Sequence, residues 1–142
     1  MPASPKIGVA AAILNHQGEL LIVQRGHPPE QGLWALPGGR VEWGESLAGA
    51  LCREISEEVH LHIAPGPLLH VAEIVTPTVH FIVLDYAATV IGQESLRPDS
   101  DALSACWISP QDIGSRDWAA GMNQFFASKA VRDYLCLSTT PP

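Results

Sequence analysis

Arg53, Glu54, Glu57 and Glu58 fall within six consecutive residues. If that stretch is helical, at about 100° per residue, Glu54 and Glu58 lie one turn apart on nearly one line and Glu57 occupies the next strip. Three carboxylates then share one side. Like charges spaced this way destabilise a bare helix by roughly 0.2–0.5 kcal/mol, and partial burial raises that cost. A divalent cation reverses its sign. Oxygen-only ligands favour Mg2+ or Mn2+ over zinc, and Mg2+ leaves positions for water and substrate phosphate. Arg53 can pair with Glu57, four residues on, and fix its rotamer. The bland alternative is a solvated acidic face. Against it, the acidic side borders an apolar stripe, and Gly38-Gly39 lie upstream, within reach of the helix's first turns.

The element that must carry these groups runs from Ser46 to Val59. Ser46 suits the N-cap, with Glu45 beside the positive helix end. Leu47, Ala48, Leu51, Cys52, Ile55 and Val59 form one stripe at helical spacing. Pro65 and Pro67 prevent the helix from running on. Ahead of it, Ile7–Leu14 and Glu19–Gln24 read as a hairpin around Asn15-His16-Gln17-Gly18. Leu33–Leu36 is a short strand, and Pro37-Gly38-Gly39 must turn. Leu68–Val75 and Val79–Val90 read as strands, the second apolar enough for burial on both faces. Ala105–Ile108 is a short strand, Ser109-Pro110 opens a helical turn, and one last helix lies between Met122 and Leu135. This order indicates an α/β or α+β sandwich. His80 reads as a core or pocket residue, and Trp34 and Trp107 as core.

The 142 residues fit one domain, 1–142, with loose ends at about 1–5 and 138–142. Hydrophobic residues make up 46% and charged residues 16%, which supports a core and excludes a disordered chain. A formal net charge of -7 argues against nucleic acid, because phosphate binding by counterion release needs a basic face. The longest apolar run, Ile7–Leu14, is too short to span a bilayer, and no polybasic patch serves a membrane surface. Cys52, Cys106 and Cys136 have no metal-ligand spacing and no even count, so reduced thiols and a cytoplasmic location are expected. Phosphate chemistry in so acidic a chain requires a borrowed positive charge.

Gly39, five residues, Glu45, seven residues, then Arg53-Glu54-Ile55-Ser56-Glu57-Glu58-Val59-His60-Leu61 resembles the signature box of the Nudix hydrolases. Gly32-Leu33-Trp34-Ala35-Leu36-Pro37-Gly38-Gly39 and Leu20-Leu21-Ile22-Val23-Gln24-Arg25 are similar to the family as well. The box spans Gly39 to Leu61, and the likeness extends from about Ile7 to Ile113. One position departs: the family has glycine where this chain has His60. That glycine ends the helix in the left-handed region, and another residue there costs about 1–2 kcal/mol.

The resemblance implies a Nudix-type α/β/α sandwich with a mixed β-sheet between helices. It implies metal-dependent hydrolysis of a diphosphate linkage in a nucleoside diphosphate-linked compound, by attack of water on phosphorus. Glu57, Glu58 and the Gly38 carbonyl are then the metal ligands, with Glu54 a further ligand or the base. Arg53 orients the carboxylates, Gly39 permits the turn, and Glu45 braces the loop and helix start. A further acid is expected from the loop before the last strand: Asp101, with Glu94 and Asp99 behind it. Arg25 and Trp43 are candidate substrate contacts. Trp43 suits a stacked base or a dimer contact, or else packing over the neighbouring turn. Pro77 resembles the pattern of ADP-ribose pyrophosphatases, whereas Trp43 before Gly44-Glu45 looks like members that hydrolyse nucleoside triphosphates. A nucleotide-type small molecule is the expected partner, and homodimers are common in the family. A non-catalytic nucleotide-binding module is the rival of another class.

Overall fold

The central strand, β1 (Lys6–Leu14), explains the topology. Its alternate side chains feed two separate cores: Val9, Ala11 and Ile13 on one face, Ala10 and Ala12 on the other. A strand buried on both faces needs cover on both, and the chain supplies helices to each. The protein is described by a computed structural model over residues 3–28, 30–98 and 102–137. The remaining strands are β2 (Leu20–Arg25), β3 (Trp34–Ala35), β4 (Gly38–Arg40), β5 (His62–Val75), β6 (His80–Ile91) and β7 (Ala102–Ile108). They form one mixed sheet in the order β3-β2-β1-β6-β5, with β4 paired to β1 and β7 paired to β2. β1 and β6 run parallel over nine registered pairs, from Lys6 opposite Phe81 to Leu14 opposite Thr89.

Helix α1 (Leu47–Val59) covers one face, burying Ala50, Leu51, Ile55 and Val59 against Val9, Ala11, Ile13, Leu21 and Val23. At about 1.5–3 kcal/mol for each large apolar side chain, this stripe outweighs the repulsion among the helix's acids. Helices α2 (Met122–Ala127) and α3 (Lys129–Tyr134) cover the other face with Phe125, Phe126 and Val131. The architecture is therefore an α/β/α sandwich, as the family resemblance implies.

Helix α1 begins as expected, with the Ser46 hydroxyl accepting from the Gly49 amide. It ends on His60, which adopts the left-handed region at φ 59° and donates its backbone N–H to the Ser56 carbonyl.

Several elements differ from the sequence reading. Pro37-Gly38-Gly39 does not make a tight turn: Gly38 and Gly39 are strand β4, paired antiparallel with Ala10 and Val9. β5 starts at His62 and passes through Pro65 and Pro67, with the register shifting between Pro65 and Leu68 and again between Leu68 and His70. Two prolines are tolerable there because β5 lies at the sheet's edge. β6 is mostly half-buried, and His80 at its start is exposed, because that end of the strand lies opposite exposed Val75 of β5. The final helix is two, divided where Ser128 turns extended at ψ 134°. Trp34 and Trp107 are half-buried at the core's margins.

Replacing His60 by glycine removes a left-handed side chain. His60→Gly is expected to raise the unfolding free energy by about 1 kcal/mol, measured by urea titration. A loss of stability would show that the imidazole's own contacts outweigh its backbone cost.

Candidate functional site

Close approach of α1 to β4 builds the site. A Cβ on Gly39 would lie 2.2 Å from the Glu54 carboxyl carbon, and one on Gly38 would lie 2.1 Å from the Val9 carbonyl oxygen. Both glycines are required by space, not by a turn, which corrects the expected role of Gly39. The edge of β4 turned away from β1 faces the helix. There the Gly38 amide donates to Glu58 Oε1 at 3.2 Å, and the Arg40 carbonyl accepts from Arg53 Nη2 at 3.0 Å.

Arg53 collects the remaining groups. Its Nε and Nη2 donate to the two Glu45 carboxylate oxygens at 2.7 and 2.8 Å, a two-pronged pair. Its Nη1 reaches Glu54 at 3.0 Å and Glu57 at 3.3 Å. The pairing of Arg53 with Glu57 is the one expected from helical spacing. The Glu57 side chain is 57% exposed and its bond is a weak surface contact, while Arg53, Glu45 and Glu54 are all at or below 25%. Arg53 holds the Glu45 carboxyl down at about 2, with the Glu42 amide helping, and Glu45 in turn raises Arg53 well above its ordinary range. Glu45 Oε1 also accepts from the Glu42 amide at 2.9 Å. It therefore ties the box loop to the helix through the guanidinium.

Glu54, Glu57, Glu58, Gly38, Gly39, Glu45 and Arg53 are thus brought together. Among the described residues no three acidic, histidine or cysteine side chains are already gathered as a chelating set. The donors are nonetheless hard oxygens on one helical side, the chemistry that suits Mg2+ or Mn2+, ions that need few protein ligands.

Other expected residues lie apart or elsewhere. Glu94 accepts from the His16 amide at 3.0 Å, so it belongs to the β1–β2 turn. Asp99 and Asp101 lie outside the described residues. Arg25 is the exposed last residue of β2. Pro77 sits in the exposed turn between β5 and β6, where the Thr76 amide donates to the Val79 carbonyl at 2.9 Å. Trp43 is fully exposed and does not pack over its turn. It stands at a groove of about 670 Å3 with Lys6, Ile7, Arg40 and Leu47.

The sequence reading missed one polar pair. Asp85 of β6 is 5% exposed, and its Oδ2 lies 3.1 Å from His70 Nδ1 on β5. Burial raises the Asp85 carboxyl to about 6 against the lowering effect of His70. The signal was available: one aspartate interrupts the apolar run of β6.

The NUDIX domain family model matches residues 4–129. The 8-oxo-dGDP phosphatase NUDT18 of Homo sapiens is 38% identical over 99 residues, 70% of this chain; the chain spans only 31% of that protein's length. The putative 8-oxo-dGTP diphosphatase 2 of Mycobacterium tuberculosis (strain H37Rv) is 33% identical over 130 residues, 88% of each chain. The crystal structure of a MutT NUDIX hydrolase from Burkholderia pseudomallei superposes with a TM-score of 0.75 at 28% identity, covering 96% of this chain and all of the other.

The depressed Glu45 carboxyl has a thermodynamic consequence. Its folded value is below its ordinary 4.5, so its contribution to stability is present above 4.5 and lost as pH falls toward 2. Arg53→Ala is expected to return the Glu45 titration, followed by carboxyl NMR, toward 4.5 and to remove this component of acid sensitivity. A Glu45 that still titrates near 2 in the variant would remove Arg53 as the cause.

Proposed function

This chain belongs to the Nudix family, and on that premise we propose that it hydrolyses the diphosphate linkage of a nucleoside di- or triphosphate, with Mg2+ or Mn2+ as cofactor. The observation that carries the reading is the set of three carboxylates on one helix: Glu54, against Gly39, and Glu57 are paired with Arg53, and Glu58 accepts from the Gly38 amide. Glu57, Glu58 and the Gly38 carbonyl would hold the cation. Bound there, such a cation would supply the positive charge that offsets phosphate and would lower the pKa of water.

The chain's own groups do the rest. Glu54 accepts the proton of the attacking water as the new oxygen–phosphorus bond forms and the bridging oxygen–phosphorus bond breaks. Arg53 keeps that carboxylate at a fixed place, so little reorganisation is needed when charge shifts. The absence of a side chain on Gly39 is what lets the Glu54 carboxylate sit over the strand.

The names of the human and mycobacterial relatives support an oxidised deoxyguanosine nucleotide as substrate. ADP-ribose is placed second, since it rests on Pro77, a turn residue. The non-catalytic module is placed third, because every acid of the box is present.

Glu57→Gln and Glu58→Gln are each expected to lower Mg2+-dependent kcat by about a hundredfold or more. The assay follows phosphate products from 8-oxo-dGTP, 8-oxo-dGDP, dGTP and ADP-ribose, with Mg2+ and with EDTA. Near-native turnover in both variants would take these residues out of the reaction. Gly39→Ala is expected to fold normally, because the clash is with the far end of a flexible side chain. It should nonetheless lose turnover on a similar scale. A fully active Gly39→Ala would separate Glu54's position from the chemistry.

A further inference from the structure

We infer that the Trp43 loop and the apolar pocket beside it are the two halves of a self-complementary interface, through which two copies of this chain pair by exchanging their Trp43 side chains. The inference stands apart from the hydrolase reading and needs no ligand.

Trp43 is fully exposed. A single exposed apolar residue is ordinary, but this one is held out by an ordered loop. The Glu45 amide donates to the Glu42 carbonyl at 3.0 Å, the Glu42 amide donates to Glu45 Oε1 at 2.9 Å, and Gly44 takes φ 87°. Glu45 is in turn clamped by two Arg53 donors. The loop that presents the indole is therefore set before any partner arrives. A tryptophan has only two side-chain torsions left to freeze, so docking it costs little conformational entropy.

The receiving half lies next to it. Leu47, Ala48, Leu51, Pro65, Gly66 and Tyr86 line a pocket of about 260 Å3 between the first turns of α1 and the place where the β5 register shifts after Pro65. Its side chains are apolar apart from the Tyr86 hydroxyl. An apolar cavity of roughly 150 Å3 takes a benzene ring, so this one has room for an indole.

Leu47 lines both this pocket and the groove at which Trp43 stands. Knob and hole thus adjoin on one face of one chain. That is the requirement of a two-fold interface, in which the same patch of each copy meets itself and every contact occurs twice. A partner of another kind would use one half and leave the other unexplained. The groove's rim carries both signs, Lys6 and Arg40 beside Glu42, so a two-fold partner can set opposite charges against each other despite the chain's net charge of -7. Two inserted indoles bury roughly 300–500 Å2 of their own surface and a comparable area of pocket wall. That is half or more of the roughly 1,200 Å2 at which specific interfaces begin, and exposed Ile7 and Leu47 extend it.

The test measures the mass of the full chain by analytical ultracentrifugation, with tryptophan fluorescence on the same dilution series. Wild type is expected to be a dimer at about 100 μM and a monomer below about 0.1 μM, the span of a small interface. Its emission should move to the red on dilution as Trp43 returns to water. Trp43→Ala is expected to weaken association at least about a hundredfold and to lose the emission change. Ala48→Phe, which fills the pocket from an exposed helical position, should weaken association similarly while keeping Trp43. Melting of both variants at the lowest concentration controls for folding. Wild type that stays monomeric at the highest concentration, or either variant that dimerises like wild type, overturns the inference. A monomeric wild type whose emission is quenched by dGMP, with no quenching in Trp43→Ala, also overturns it and gives the face to a nucleotide.

Discussion

The guanidinium of Arg53 is the group on which the candidate site depends. It binds four acceptors drawn from three pieces of chain: Glu45 in the box loop, Glu54 and Glu57 on its own helix, and the Arg40 carbonyl at the end of β4. Without it, four carboxylates (with Glu58) would crowd one end of the sheet with no cation among them. With it, Glu45, Glu54 and Glu57 are each held at a different distance. Glu45 takes two of the guanidinium's donors and is structural. Glu54 takes one and is half-enclosed. Glu57 takes a long, exposed one that costs little to break. The grading suits a centre in which some carboxylates must stay and another must be free to change partner.

A second constraint is spatial. Helix α1 lies so close to β4 that a Cβ on Gly39 would meet the Glu54 carboxylate, while β1 leaves Gly38 no room for a side chain. The apolar stripe of α1 sets this distance by burying Leu51, Ile55 and Val59 completely. Packing energy thus places the carboxylates, and the few tenths of a kcal/mol of like-charge repulsion are too small to oppose it.

The legible and illegible parts of the sequence divide along physical lines. Helix α1, its Ser46 cap and its acidic side were readable because a 3.6-residue period and a capping residue act locally. The left-handed His60 was expected from the family resemblance, which has the helix-ending glycine at that position. The Gly38-Gly39 pair was misread as a turn, because glycine reports the need for space or for positive φ and the sequence does not say which. The edge prolines of β5 and the exposed His80 depend on where each strand lies in the sheet, a non-local fact. The break at Ser128 falls inside an apolar stretch where helical spacing continues. Asp85 was passed over because one polar residue in an apolar strand is invisible to an average.

The two faces of the sheet carry different work, and β4 joins them. On the α1 side the requirement is to concentrate negative charge beside a backbone edge and to hold it with one arginine. On the α2 side the sheet accepts one buried carboxylate, Asp85, beside His70.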